Sequence, residues 1–191
     1  MSASDVSAAA DRLAGLIRNI SDDQLSGPTP CPDYSLGDLV DHVGGLALAF
    51  TWAAEKTTPE GAEGGSGDAS RLTDDWRARI PSDLAKLAAA WQQPDAWTGM
   101  TRAGGLDLPG EIAGVVALDE LVIHGWDVAR ASGQPFAADA GSLETVRAFV
   151  EGFSAEGTPG LFGARVPVAD DAPLLDRVIG MSGRDPNWSP N

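Results

Sequence analysis

The sequence predicts a mostly α-helical protein, an antiparallel bundle of four long helices with additional short ones and a short hairpin. Three observations lead there. Apolar residues recur every three or four positions in several long segments. Gly- and Pro-rich stretches that no regular element survives separate those segments. No internal repeat and no sustained alternation of apolar and polar residues runs through the chain.

The first helix is predicted over residues 5 to about 20, where Val6, Ala9, Leu13, Leu16, Ile17 and Ile20 share one face. "SDDQLSGPTPCPDY" follows, and its three prolines and one glycine make it an ordered connector. Ser35 is a suitable cap for a second helix running to about Lys56, with Leu36, Leu39, Val43, Leu46 and Phe50 as its stripe. Residues 57–70 are polar, rich in glycine and poor in anchors, and read as a mobile loop. A third helical pattern spans Arg71 to about Gln93, with Pro81 expected to kink or split it. "TGMTRAGGLDLPGE" reads as a turn or short hairpin. Pro109 then suits the first position of a fourth helix that ends at Ser132-Gly133. Shorter helices are expected over about 141–152 and after Pro173. The whole chain, 1–191, is read as one domain, with about 156–191 forming a C-terminal extension packed on the bundle.

Composition narrows the function. A formal net charge of -15 disfavours nucleic acid and anionic lipid, and the 13 basic residues form no run. One cysteine, Cys31, excludes an internal disulfide. The least polar stretch, "VGGLALAFTWAA", is too short to span a bilayer, and the N-terminus lacks a signal-peptide pattern, so a cytoplasmic location is expected. Hydrolase elbows, phosphate-binding loops and dinucleotide fingerprints are all missing from the sequence.

The fourth helix carries "DELVIHGWDVARASG", in which Glu120, His124 and Asp127 fall within about 60° of one another. Val116 and Ile123 lie beside them, so this polar group belongs to, or borders, the face that points into the bundle. A carboxylate there needs a compensating partner. A Glu and a His at i, i+4 can reach one divalent ion, with the third donor coming from a facing helix. The only other histidine, His42, flanks the stripe of the second helix. A His/Glu/His set leaves coordination positions open, as catalytic sites do. The same spacing is also met by a simple hydrogen-bonded pair in a core.

"TPCPDYSLGDLVDHVGG" and, far downstream, "ALDELVIHGWDVARASGQPF" resemble the actinobacterial branch of the DinB-like superfamily that includes the N-terminal domain of mycothiol-dependent maleylpyruvate isomerase. The closing "VPVADDAPLLDRVIGMSGRDPNW" resembles the end of a group of uncharacterised metal-binding proteins in that branch. The resemblance implies His42, Glu120 and His124 as ligands of a divalent metal, zinc above all, with nickel, iron(II) and manganese also compatible. It implies for Asp127 a role in positioning a thiol or substrate; an ion pair with Arg130 at the helix end is the alternative. Asp38 either orients His42 or supplies favourable charge at the helix start. Trp126 is expected in the core, and Cys31 in a structural connector.

The function implied by the resemblance is activation of a low-molecular-weight thiol of the mycothiol type, as cosubstrate, for S-transfer or isomerisation of an electrophilic small molecule. A metal-dependent hydrolase and a non-catalytic metal- or ligand-binding protein of the stress response are the alternatives. The isomerase carries a further C-terminal domain with a basic substrate-binding residue, for which this chain is too short; Arg165, Arg177 and Arg184 are candidate replacements. Partners are a small molecule and a thiol, and the chain is a monomer or homodimer.

Overall fold

The computed structural model describes residues 3–60, 62 and 66–190. Among them are α1 (Ala3–Arg18), α2 (Leu36–Glu55), α3 (Trp76–Trp91), β1 (Met100–Ala103), β2 (Leu106–Pro109), α4 (Gly110–Ala131), α5 (Ala140–Glu151) and α6 (Leu174–Met181). The four long helices form a bundle in which α1 and α2 each pack on both α3 and α4. The consecutive helices α1 and α2 therefore sit diagonally. Helix α5 covers α4, and α6 rests on α5. No helix among the described residues is long and apolar enough to cross a membrane.

Local chemistry accounts for the element boundaries. Ser35 and Asp38 form a reciprocal cap on α2: the Ser35 hydroxyl accepts the Asp38 N–H, and the Asp38 carboxylate accepts the Ser35 N–H at 3.0 Å. Beyond the strong side-chain bond from Ser35, the same carboxylate takes the Ala69 N–H at 2.8 Å, and its pKa is lowered accordingly. Asp38 is thus a cap of α2 and a tether for residue 69. The expected mobile loop, 57–70, lies partly outside the described residues, at 61 and 63–65. Its last part is anchored: Gly67 N–H donates to the Tyr34 hydroxyl, and Arg71 pairs with Asp41 at 2.6 Å. A Cβ on Gly67 would lie 2.0 Å from the Asp38 carbonyl oxygen, so only glycine lets this segment lie on α2 beside His42.

The third helix begins at Trp76, later than its apolar pattern predicts. Residues Ala69–Arg71 instead make a 3-10 turn capped by Asp68. Pro81 neither splits nor ends α3. It stands in the second turn, where its missing N–H removes one bond and its ring is buried in the core. Two further 3-10 turns, Asp22–Gln24 and Pro94–Trp97, occupy connectors that the sequence left irregular. The hairpin turns at Gly104 and Gly105, whose φ values of 57 and 77 match a two-residue type I′ turn. Pro109 proves to be the cap of α4 rather than its first residue.

After α4 the chain stops at Ser132 and Gly133 (φ 69). Arg165 crosses back to donate to the carbonyls of Glu151 and Phe153, closing the end of α5. Gly183 (φ 85) packs against the Gly163 backbone, where a Cβ would meet it at 2.7 Å. This contact brings residue 184 back to the side of α4.

Candidate metal centre

Two turns inside its capped start, α2 presents His42 to α4. The His42 and His124 rings stand edge to face with centroids 5.0 Å apart, and Tyr34 covers the other side of His42 at 5.3 Å. One turn before His124, the Glu120 carboxylate lies 3.0 Å from its Nε2. One ligand atom from each of His42, Glu120 and His124 lies within 4.8 Å of the others. Tetrahedral zinc ligands at about 2.0–2.1 Å stand about 3.3 Å apart, so closure of at most about 1.5 Å by rotamer adjustment completes the set. Two imidazoles and a carboxylate are also the right donors for zinc. The residues fit a divalent ion.

Asp127 is fully buried and does not face a substrate space. Its Oδ2 lies 3.0 Å from His124 Nδ1, which leaves Nε2 directed at Glu120. Its other partner is Arg184, which donates Nε to Oδ1 at 3.3 Å and Nη2 to Oδ2 at 3.0 Å. The expected pairing with Arg130 does not form. That guanidinium lies over Trp126 and donates to the Pro186 carbonyl. Trp126 itself is core, as expected.

The electrostatics follow from this chain of groups. Burial disfavours the His124 imidazolium, yet its bonds to Asp127 and Glu120 outweigh burial and lift its pKa to about 9. Burial likewise opposes ionisation of Asp127 and Glu120, but Arg184 and His124 for the first, and His124 for the second, hold both below their ordinary values. Asp119 differs. Burial and the Glu120 charge push its pKa well up, and its Oδ1 has no hydrogen-bond partner among the described residues. Burial also raises the Cys31 thiol despite nearby Arg184, so Cys31 is no activated nucleophile.

Glu120 and His42 border the outside; the Glu120 side chain is 27% exposed and that of His124 only 9%. Beside His42 opens a cleft of about 280 Å³ floored by Gly44 and Gly45 and rimmed by Arg71 and Arg79. Of the three candidate donors, His42 is the one that lines this cleft. The structure brings together His42, Glu120 and His124, the three residues that sequence reasoning named as candidate ligands, with Asp127 beside them; Arg184 was only one of three candidate arginines. Sequence reasoning missed Asp119 and Tyr34 altogether; the signal for Asp119 was a second carboxylate directly preceding Glu120 on a buried helix.

Residues 6–129 match the family of the mycothiol maleylpyruvate isomerase N-terminal domain. Proteins of Mycobacterium tuberculosis strains CDC 1551 / Oshkosh and ATCC 25618 / H37Rv, both described as uncharacterised, are each 31% identical over 186 residues, covering 92% of this chain and 93% of theirs. Among solved structures, the mycothiol-dependent maleylpyruvate isomerase superposes with a TM-score of 0.69 at 17% identity, over 97% of this chain and 89% of that one. A histidine-to-alanine mutant of such an isomerase matches with a TM-score of 0.58 at 16% identity, over 78% of this chain and 67% of that one. At these identities the likeness speaks for the fold.

Proposed function

Because the chain belongs to the mycothiol maleylpyruvate isomerase N-terminal domain family, we propose that it is a divalent-metal enzyme, zinc-dependent by preference, that uses a low-molecular-weight thiol of the mycothiol type for isomerisation or S-transfer of an electrophilic small molecule. The observation that carries this reading is the approach of His42, Glu120 and His124 to within 4.8 Å across the α2–α4 seam. Bound there, the ion supplies Lewis acidity that lowers the pKa of a thiol presented to it. His42, Glu120 and His124 are the residues that would hold such an ion. Asp127 accepts the Nδ1 proton of His124 and so keeps Nε2 as the donor. The cleft beside His42 gives the organic partner a place to lie, with Arg71 and Arg79 at its rim.

Activation of water in place of a thiol needs a general base. Asp127 is fully buried and engaged by His124 and Arg184, which counts against its serving as one and so against that reading. The test is elemental analysis of untagged protein beside His42→Ala and Glu120→Ala. About one equivalent of zinc in the wild type, lost in both variants, supports the metal reading. Zinc-dependent consumption of thiol together with an electrophile then separates the thiol chemistry from hydrolysis, which turns over without thiol. A wild type that takes up no divalent ion after reconstitution sinks the proposal.

A further inference from the structure

We infer that Arg184 is a positioning residue for the metal centre: its guanidinium, brought in by the C-terminal segment, holds Asp127 so that Asp127 holds the His124 imidazole. Docking of residues 182–188 and capture of the ion are thereby linked. This rests on the metal reading above.

The geometry is a relay of three side chains. Asp127 Oδ2 serves two donors at once, His124 Nδ1 and Arg184 Nη2, each at 3.0 Å. Arg184 Nε occupies Oδ1, so both carboxylate oxygens are fixed by a planar fork that a point charge cannot reproduce. The remaining nitrogen, Nη1, donates to the Ser182 carbonyl at 3.0 Å. Every nitrogen of the guanidinium is therefore engaged inside the protein, and its side chain is only 10% exposed. Arg184 is not available as a fork for a substrate carboxylate. That separates it from the basic substrate-binding residue for which the sequence made it a candidate.

The segment carrying Arg184 is itself fastened at several points. Arg184 N–H donates to the Ile179 carbonyl at 3.1 Å, Arg130 holds the Pro186 carbonyl at 3.0 Å, and Gly183 sits on Gly163. All of this lies beyond residues 6–129, the part that matches the family domain. The matched domain thus contributes the three metal donors, and the segment after it contributes the constraint on one of them. If the segment lifts away, Asp127 keeps one partner instead of two and the His124 ring loses its fixed orientation. By reciprocity, an ion seated on His124 favours the docked segment.

The experiment measures zinc affinity by chelator competition in wild type, Arg184→Met and Arg184→Lys. Val146→Ala, a buried α5 substitution remote from polar contacts, serves as a control for lost stability. Arg184→Met is expected to bind zinc about 10- to 100-fold more weakly, as removal of an outer partner of a ligating histidine does. Arg184→Lys should fall between, and Val146→Ala should match wild type per folded molecule. Should Arg184→Met not fold, two readouts on the wild type decide. Ring 15N shifts of zinc-loaded protein should show His124 protonated at Nδ1 and ligating through Nε2, and zinc should slow amide exchange across residues 182–188. Unchanged affinity in a folded Arg184→Met, or zinc-independent exchange in that segment, overturns the inference and leaves the metal reading standing. A wild type without zinc overturns both.

Discussion

Two of the seams between the bundle's long helices are built on opposite principles. Helices α1 and α3 pack on each other and bury Val6, Ala10, Leu13, Ile17, Ile80, Leu84, Leu87 and Trp91 fully, an apolar set apart from the Trp91 indole N–H. Even that polar atom is satisfied, donating to the Phe50 carbonyl at 3.0 Å. Between α2 and α4, the same helical period brings Leu39, Val43, Ala117 and Leu121 inward but interrupts them with His42, Glu120, His124 and Asp127. Burying ionisable groups costs free energy that apolar packing would not. The first seam holds the bundle together, and the second gives up part of that stability to buried ionisable groups.

The largest expected effect separates the seams by ligand binding. Glu120→Ala should lower zinc affinity by at least about a thousandfold while shifting the stability of the metal-free protein by less than about 1 kcal/mol, since it removes a ligand and only a partly exposed ion pair. Metal titration and urea unfolding on one sample check both halves. A variant that unfolds readily would show the polar seam to be structural. The converse substitution is Leu84→Ala. Its fully buried side chain should cost about 3 kcal/mol, lowering Tm by roughly 6–12 °C, with zinc affinity of the folded fraction unchanged.

A smaller effect probes the site through protons. The His124 pKa of about 9 means that its Nε2 carries a proton at neutral pH, and an ion binding there displaces it. Zinc affinity should therefore rise about tenfold per pH unit, from this group alone, between about pH 7 and 8.5 and flatten above pH 9. Calorimetry in buffers of different ionisation enthalpy counts the released proton. A pH-independent affinity would mean that His124 does not ligate through Nε2.

The two seams also differed in how far they could be read from sequence. The apolar one was legible throughout, because burial of every third or fourth residue is a local periodic signal. Ser35, the Gly104-Gly105 turn and the stop at Ser132-Gly133 were legible for the same reason: each is chemistry within about four residues. Glu120, His124 and Asp127 were found as a face of one helix, and His42 by being the only other histidine. The partner of Asp127 was not found, since Arg184 lies 57 positions away and nothing in its neighbourhood marks it as buried. Pro81 does not split α3, because a proline's cost depends on where the helix starts, and α3 starts only at Trp76, after its N-cap Asp75.

Asp119 gives the finest test of the comparison, because its buried Oδ1 has no hydrogen-bond partner among the described residues. Its pKa is pushed up by burial first and by the Glu120 charge second. In the unfolded chain it ionises near its ordinary value of 3.8. Below that pH both states carry the proton and the group contributes no pH dependence. Above it the unfolded state loses the proton more readily, so the group lowers stability progressively as pH rises towards its folded pKa. Asp119→Asn removes this titration while keeping the shape. The variant should gain stability relative to wild type as pH rises from 4 to 7, and the gap should close again on acidification. Urea unfolding at the two pH values decides: a constant difference between variant and wild type would mean that Asp119 is not held protonated by its surroundings, and that the strain at the polar seam lies in the ligand set alone.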